Sequence, residues 1–398
     1  MNLTIVSPFP PNITGIGQYG FHVSRSLAQS GQSMKIMVLA GAQTSITNTI
    51  CSPSLAVEYA WRPDQLRAIL SIMSALYRSE PDLVWFNLGA SIFGRSPLAN
   101  LLGFFSVSLV RSAGIPTIVT LHELVEQADL KTLGAPGGPL ARLGAHLLTS
   151  LVVRADVVCL TMHRYVEWFS VHRPEVACVH IPIGAYRPPE ILLESENQEL
   201  LFFTTLAPYK GLEILLEAYR RLLSGCPTLR LTIAGAEHPR FPGYSDSLRR
   251  KFSSLPGINW LGQVPEGRVR DLFSQAQVIV LPYLASTGSS SVIYQAAMWG
   301  RAMVASDLPE TQAVALESDL EIEFFKNRDV DELAQAIQRL LDSPAHRRAQ
   351  VVHNYTAIQA IRPEDTAHRY IQAFNQALEA HNKPERISVP VTASMETS

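Results

Sequence analysis

The stretch Val278-Ile-Val-Leu-Pro-Tyr-Leu-Ala-Ser-Thr-Gly-Ser-Ser-Ser-Val-Ile-Tyr-Gln-Ala-Ala-Met-Trp-Gly-Arg-Ala-Met-Val-Ala-Ser306 decides the fold. A short apolar run (278–281) ends at Pro282, a small polar loop (286–291) follows, and residues 292–299 read as a helix stopped by Gly300. A second apolar run (302–305) comes next. Strand, loop, helix and strand in that order form the repeating unit of a parallel sheet. The loop has the chemistry of an anion site. Gly288 lets the backbone approach a ligand, and Ser289, Ser290 and Ser291 stand where a helix is capped. The free N–H groups and dipole of the first helical turn then face whatever occupies the loop.

The same unit recurs outward from this stretch. Upstream, 200–204 reads as a strand, followed by Thr205-Leu-Ala-Pro-Tyr-Lys-Gly211 and a helix over 212–223. Another strand, 229–234, ends at Gly235, and 258–261 leads into Gly262-Gln-Val264. The first half has the same rhythm. A strand at 3–6 runs into a loop carrying Gly15 and Gly17, and then a helix places Tyr19, Val23 and Leu27 on one face. Gly15-x-Gly17-x-x-Gly20 has dinucleotide spacing, but the next strand ends in Val38-Leu-Ala40 with no acid for a ribose, which weakens a nicotinamide reading. The strand 117–120 delivers His122 at its carboxyl end, where parallel sheets hold ligands. Both halves read as doubly wound α/β domains.

Composition bounds the function. The 398 residues predict two or three domains, and 47% hydrophobic with 17% charged residues is globular. A net charge of −2 gives no basic footprint for nucleic acid, and four scattered cysteines without a Cys-x-x-Cys pair fit a reducing cytosol. The chain starts in a strand without a signal sequence, and no segment is long and apolar enough to span a bilayer. The helices over 98–110 and 140–154 are the nearest approaches. The first reads as a buried core helix, and the second, with Arg142, His146 and Arg154 among leucines, is a weak candidate for a membrane-facing surface.

Lys210-Gly211 after a strand, Gly235, Gly262-Gln-Val264, Pro282 and Gln295-Ala-Ala-Met-Trp-Gly300, with Thr120-Leu-His122 and the Gly15 loop before them, fall in a recognisable order. Over about residues 1–380 the chain resembles a retaining glycosyltransferase of the GT-B fold, of the family four type (glycosyl transferases group 1). The resemblance implies two Rossmann-like domains facing each other across a cleft. An acceptor domain would span 1–184, completed by a C-terminal helix at about 363–381, with a linker at 185–198 and a donor domain at 199–362. Residues 383–398 read as a disordered tail.

The resemblance also implies a nucleoside diphosphate sugar as co-substrate, no bound cofactor and no metal. The acceptor would be a glycan or lipid-linked saccharide. The expected location is cytoplasmic, with peripheral association at the inner membrane face. His122 and Lys210 take the catalytic positions. Donor contacts fall on Gly15, Gly17, Lys210, Gly235, Gly262, Val264, Thr287, Gly288, Ser289, Ser290, Ser291 and Gln295.

The chain departs from the family pattern. An arginine kept shortly before the lysine would fall at Thr205 or Ala207, and the Glu-x7-Glu pair becomes Thr287 and Gln295. Two other readings therefore stand beside transfer: a nucleotide-sugar-binding pseudoenzyme or scaffold, and a sugar-nucleotide epimerase, which would need an acid and a base flanking the sugar. Asp329 and Glu310 read as helix caps, and His163 and Trp168 as packing residues.

Overall fold

A computed structural model of the chain describes residues 1–11, 14–42, 49–127, 132 and 139–382, leaving out the side chains of 125 and 139–141. The expected tail, 383–398, lies outside the described residues. Apolar runs broken by glycine and proline make two sheets. The first holds β1 (Asn2–Val6), β2 (Lys35–Gly41), β3 (Thr49–Ser52), β4 (Leu55–Trp61), β5 (Leu83–Leu88), β6 (Thr117–Leu121), β7 (Val157–Leu160) and β8 (Cys178–His180). Its spatial order is β3-β4-β2-β1-β5-β6-β7-β8, and every neighbouring pair is parallel except β3 with β4. Helices α1 (Gly15–Gln29), α2 (Ala68–Ser79), α3 (Pro97–Ser112), α4 (Pro139–Val152) and α5 (His163–His172) connect these strands.

The second sheet holds β9 (Glu199–Phe203), β10 (Arg230–Ala234), β11 (Ile258–Gly262), β12 (Val278–Leu281), β13 (Ala302–Ser306) and β14 (Glu323–Phe325). It is parallel throughout, in the order β11-β10-β9-β12-β13-β14. Its helices are α6 (Leu212–Leu222), α7 (Tyr244–Lys251), α8 (Val269–Gln275), α9 (Ser291–Met298), α10 (Pro309–Glu317), α11 (Val330–Asp342) and α12 (Pro344–Ile358). The doubly wound expectation holds for both halves. The sequence reading passed over β3, β4, β14, α7 and α12. β4 shows why: its burial does not alternate cleanly, so it carries neither the period of a half-buried strand nor the continuous run of a central one.

The inner strands are apolar because helices cover both faces. All six residues of β5 and all four of β12 are buried. The last helix, α13 (Pro363–His381), returns to the first sheet. Tyr370 is fully buried there, with its ring 4.5 Å from Trp85 and its hydroxyl 2.7 Å from Thr120 Oγ1 and 2.8 Å from Tyr19 Oη. Trp85 Nε1 donates to the same threonine at 2.8 Å, so no polar atom of this inner cluster lacks a partner.

Arg301, next to the glycine that stops α9, is buried and ties the segment at Leu192 and Leu193 to the second sheet. It donates to the carbonyls of Phe273 (2.7 Å), Leu192 (2.9 Å) and Leu193 (2.8 Å). Burial lowers its pKa to about 10, still high enough to keep it charged.

Candidate active site

The carboxyl ends of the two sheets face each other, where ligands of open α/β sheets bind. On the first lobe, β5 carries Asn87 just before its last residue, and β6 leads to His122. Asn87 breaks an apolar strand, and its side chain explains why. Nδ2 donates to Ser7 Oγ (2.9 Å) and to the Ile16 carbonyl (3.0 Å). That fixes the amide orientation, so Oδ1 is the atom 2.6 Å from His122 Nε2. His122 Nε2 therefore carries the proton and donates, which leaves Nδ1 as an acceptor. Burial lowers the histidine pKa to about 3, so the ring is neutral near pH 7. Tyr19 packs edge-on against it at 4.8 Å.

Gly15 and Gly17 lie in the first turn of α1 rather than in a free loop. Thr14 caps that helix by accepting from Gly17 N at 3.0 Å. The physical reason is that Thr14 is a good N-cap and the helix starts as soon as it is available.

On the second lobe, the strand after which Lys210 was expected is β9. Pro208–Lys210 forms a 3₁₀ turn and Gly211 takes φ 72° before α6. A Cβ on Gly211 would also overlap the Pro282 carbonyl, so this position admits only glycine. The Lys210 ammonium lies 4.0 Å above the Tyr283 ring and 5.6 Å from the Tyr209 ring. Among the described residues no carboxylate pairs with it. Gly235 ends β10 and donates to the Gly262 carbonyl at 2.7 Å, which joins two expected donor positions. Val264 is half-buried against the core.

Ser290 occupies the N-cap of α9 with extended backbone, but its side chain makes no capping bond and stands 3.3 Å from Tyr283 Oη instead. Ser286 Oγ donates to the Gly288 carbonyl at 2.7 Å. Thr287, Ser289, Ser291 and Gln295 are half-buried around this helix start. The expected side-chain cap is thus missing, because the Tyr283 hydroxyl draws Ser290 away.

The lobes meet at this loop. A Cβ on Gly288 would overlap the His122 carbonyl, so the glycine is what allows the two walls to touch. Tyr165 Oη donates to the Thr287 carbonyl at 2.7 Å. Arg164 pairs with Glu310 at 3.1 Å, His163 N donates to Glu317 Oε2 at 2.6 Å, and His22 lies 3.1 Å from Glu266. Glu310 is therefore a bridge between lobes and not a cap; the ion pair recruits its carboxylate. The His163 side chain is exposed, yet its ring packs edge-on against His180 at 5.6 Å while its backbone makes the contact between the lobes. Trp168 packs on Phe169 and stacks on His172. Asp329 does cap its helix, accepting from Asp331 N (2.9 Å) and Glu332 N (3.0 Å).

Asn87, Tyr283 and Tyr165 were missed by the sequence reading. Asn87 left a signal, a lone amide in an apolar strand. The tyrosines left none, because tyrosine is common in packed positions. A cavity of about 420 Å³ opens beside the Lys210 turn, lined by Thr132, Pro208, Tyr209, Leu284 and Arg328. A larger one, about 510 Å³, lies away from the strand ends where α1, the linker and α13 meet, and holds none of the expected site residues. Among the described residues no group of three or more His, Cys, Asp or Glu side chains stands together as a metal site.

Comparison with known proteins agrees with this layout. Residues 197–343 match the family described as glycosyl transferases group 1. The chain is 28% identical to a phosphatidyl-myo-inositol mannosyltransferase of Mycolicibacterium smegmatis, over 41% of this chain and only 38% of that protein. It is 24% identical, over 87% of this chain and 90% of the relative, to a GDP-mannose-dependent monoacylated alpha-(1-6)-phosphatidylinositol monomannoside mannosyltransferase of Corynebacterium glutamicum. Among solved structures, sucrose-phosphate synthase from Thermosynechococcus elongatus superposes with a TM-score of 0.73 at 16% identity, covering 96% of this chain and all (100%) of that one. Anabaena HepE in complex with UDP-glucose superposes at 0.67 and 14% identity, covering 94% and 99%. The chain thus has the GT-B fold, and its residues 197–343 match the glycosyl transferases group 1 family.

Proposed function

We propose that the protein moves a sugar from a nucleoside diphosphate donor to a lipid-linked or glycan acceptor with retention of configuration. One observation carries this reading: Lys210 is a cation without a carboxylate partner among the described residues, held over two aromatic rings beside the uncapped start of α9. That pairing of a full charge with a free helix N-terminus suits a leaving pyrophosphate. In this reading residues 1–184 with 363–381 form the acceptor lobe, 185–198 the linker and 199–362 the donor lobe.

The donor contacts divide by position. Lys210 and the N–H groups at Ser289, Ser290 and Ser291 would receive the phosphates, with the α1 start at Gly15 and Gly17 closing over them. Gly235, Gly262 and Val264 would flank the base, and Gln295 would take the ribose hydroxyls. His122 would sit at the transferred sugar. As the donor C1–O bond breaks, the acceptor hydroxyl oxygen bonds C1 from the same face. The acceptor's proton then passes to the departing phosphate oxygen. Lys210 and the α9 dipole stabilise the charge that develops there.

The named relatives support GDP-mannose and a phosphatidylinositol-type acceptor, whereas HepE supports UDP-glucose. A lipid acceptor agrees with the exposed Leu98 and Phe105 of α3 and Leu143 and Leu147 of α4, which would rest on the cytoplasmic membrane face. No described helix is long and apolar enough to cross a membrane.

The test is a panel of UDP, GDP, ADP and their sugars, read by thermal shift and by product formation. Binding and turnover that vanish in Lys210→Ala support the proposal; no nucleotide effect in the wild type would sink it. The neutral Thr287 in the loop favours a second reading, donor binding without turnover. A bound donor that is never consumed with any acceptor would select it.

A further inference from the structure

Glu123 follows His122 and has no role so far. It stands beyond β6 at the mouth of the cleft and is half-buried. No cation pairs with it among the described residues. Among the described residues its side chain has one hydrogen bond, from Ala90 N to Oε2 at 3.3 Å. An ionised carboxylate offers about four acceptor sites. One long bond leaves most of that acceptor capacity open toward the cleft, where the half-buried side chain can receive further donors.

Its surroundings come from both lobes. A Cβ on Gly288 would lie 3.8 Å from Glu123 Cα, so the residue stands directly against the Thr287–Gly288 loop. Burial first, and then the Glu123 charge, push the hydroxyl of Tyr209 up to about 12. Burial and the Glu310 and Glu123 charges raise Tyr165 in the same sense. The Glu123 charge thus acts on Tyr165 of the first lobe and on Tyr209 of the second, which precedes Lys210. The second-lobe wall of this space offers N–H groups, hydroxyls and an ammonium, but its residue 287 is a neutral threonine.

We infer that Glu123 holds the sugar ring of the donor, accepting hydrogen bonds from its hydroxyls across the cleft from Thr287 and Lys210. The inference rests on the donor site proposed above. It assigns the sugar to a carboxylate of the first lobe, so that Glu123 acts on the sugar form of the donor and not on the nucleoside diphosphate alone. A polyhydroxylated ring supplies the donors that the carboxylate lacks, and bonds to an ionised acceptor are the stronger kind.

The alternative is that Glu123 only fixes the turn after β5 through Ala90 N. Calorimetric titration with UDP, UDP-glucose, GDP and GDP-mannose separates the two. Glu123→Gln keeps an acceptor oxygen for Ala90 and removes the charge; Glu123→Ala removes both. For the nucleotide that binds, both variants are expected to keep the nucleoside diphosphate affinity of the wild type. Both are expected to lose about ten- to a hundredfold in affinity for its sugar form. Lys210→Ala should weaken both ligands. Wild-type affinity for the sugar form in Glu123→Gln, with loss in Glu123→Ala alone, makes Glu123 a structural residue and overturns the inference. Equal loss of both ligands in Glu123→Gln overturns it too. Failure of the wild type to bind any of these four ligands, or ADP and ADP-glucose titrated alongside them, overturns the donor reading itself, and this inference with it.

Discussion

Helices α9 and α11 lie in the same lobe and start differently. At α11, Asp329 accepts from two backbone N–H groups of the first turn. At α9, Ser290 stands in the same position with a suitable side chain and makes no such bond. The first turn of any helix leaves N–H groups without intrahelical partners. Where the start only ends a loop, the chain satisfies them itself. Where the start faces the other lobe and a lysine with no carboxylate partner among the described residues, the N-cap side chain takes up none of them. The capped helix is the internal control for the uncapped one.

The largest expected effect falls on the charge beside the open start. Lys210→Ala should lower kcat/KM for transfer by about a hundredfold or more, equivalent to about 2.7–4 kcal/mol. Its stability should fall by at most about 0.5–2 kcal/mol, the worth of the lost contact with the Tyr283 ring. Steady-state rates checked against melting temperature test this, and a variant that keeps wild-type kcat/KM would remove Lys210 from the site.

Gly288→Ala comes next. The added methyl meets the His122 carbonyl, and overpacking of this kind costs about 1–3 kcal/mol. That cost falls on lobe closure, so turnover should drop about ten- to a hundredfold while nucleoside diphosphate affinity is retained. Small-angle scattering should show a more open particle. Wild-type turnover would mean that the lobes do not need to meet here.

The first-lobe wall contributes a neutral ring, and pH probes it. The folded His122 pKa of about 3 is below the unfolded value of about 6.5. Between these values the unfolded chain binds the extra proton. The contribution of His122 is therefore fully present above about pH 6.5 and is lost as pH falls toward 3, with a slope of at most about 1.4 kcal/mol per pH unit. Denaturant titrations from pH 7 to 4 on wild type and His122→Asn should differ by about one proton in slope. Identical slopes would count against a buried neutral ring.

The smallest effects test the two helix starts directly. Asp329→Ala should cost about 1 kcal/mol of stability and leave donor affinity alone. Ser290→Ala should change stability by only a few tenths of a kcal/mol, because no capping bond is lost. If Ser290→Ala destabilises as much as Asp329→Ala, the contrast between α9 and α11 disappears.

Much of this architecture was legible in the residues. The run 278–281, the glycine after α9 and the run 302–305 read as strand, stop and strand because burial on both faces demands continuous apolar segments. Lys210 and His122 stood out because each followed a strand at its carboxyl end. Asp329 was readable as a cap, since capping is a matter of a few neighbouring residues. Glu310 was misread for the same reason: a helix-start acid looks like a cap until an arginine 146 positions away in sequence claims it.

The sequence by itself determined the doubly wound fold and the loops that carry the candidate site, because periodicity and punctuation act over short stretches. Only the tertiary structure decided how Asn87 sets the His122 tautomer, why Ser290 leaves α9 open, and that Gly288 touches the opposite lobe. It also showed Glu123 standing at the junction without a cation. Each of those facts depends on groups that are distant in the chain or compete for the same hydrogen bond, and local pattern carries no record of which partner wins.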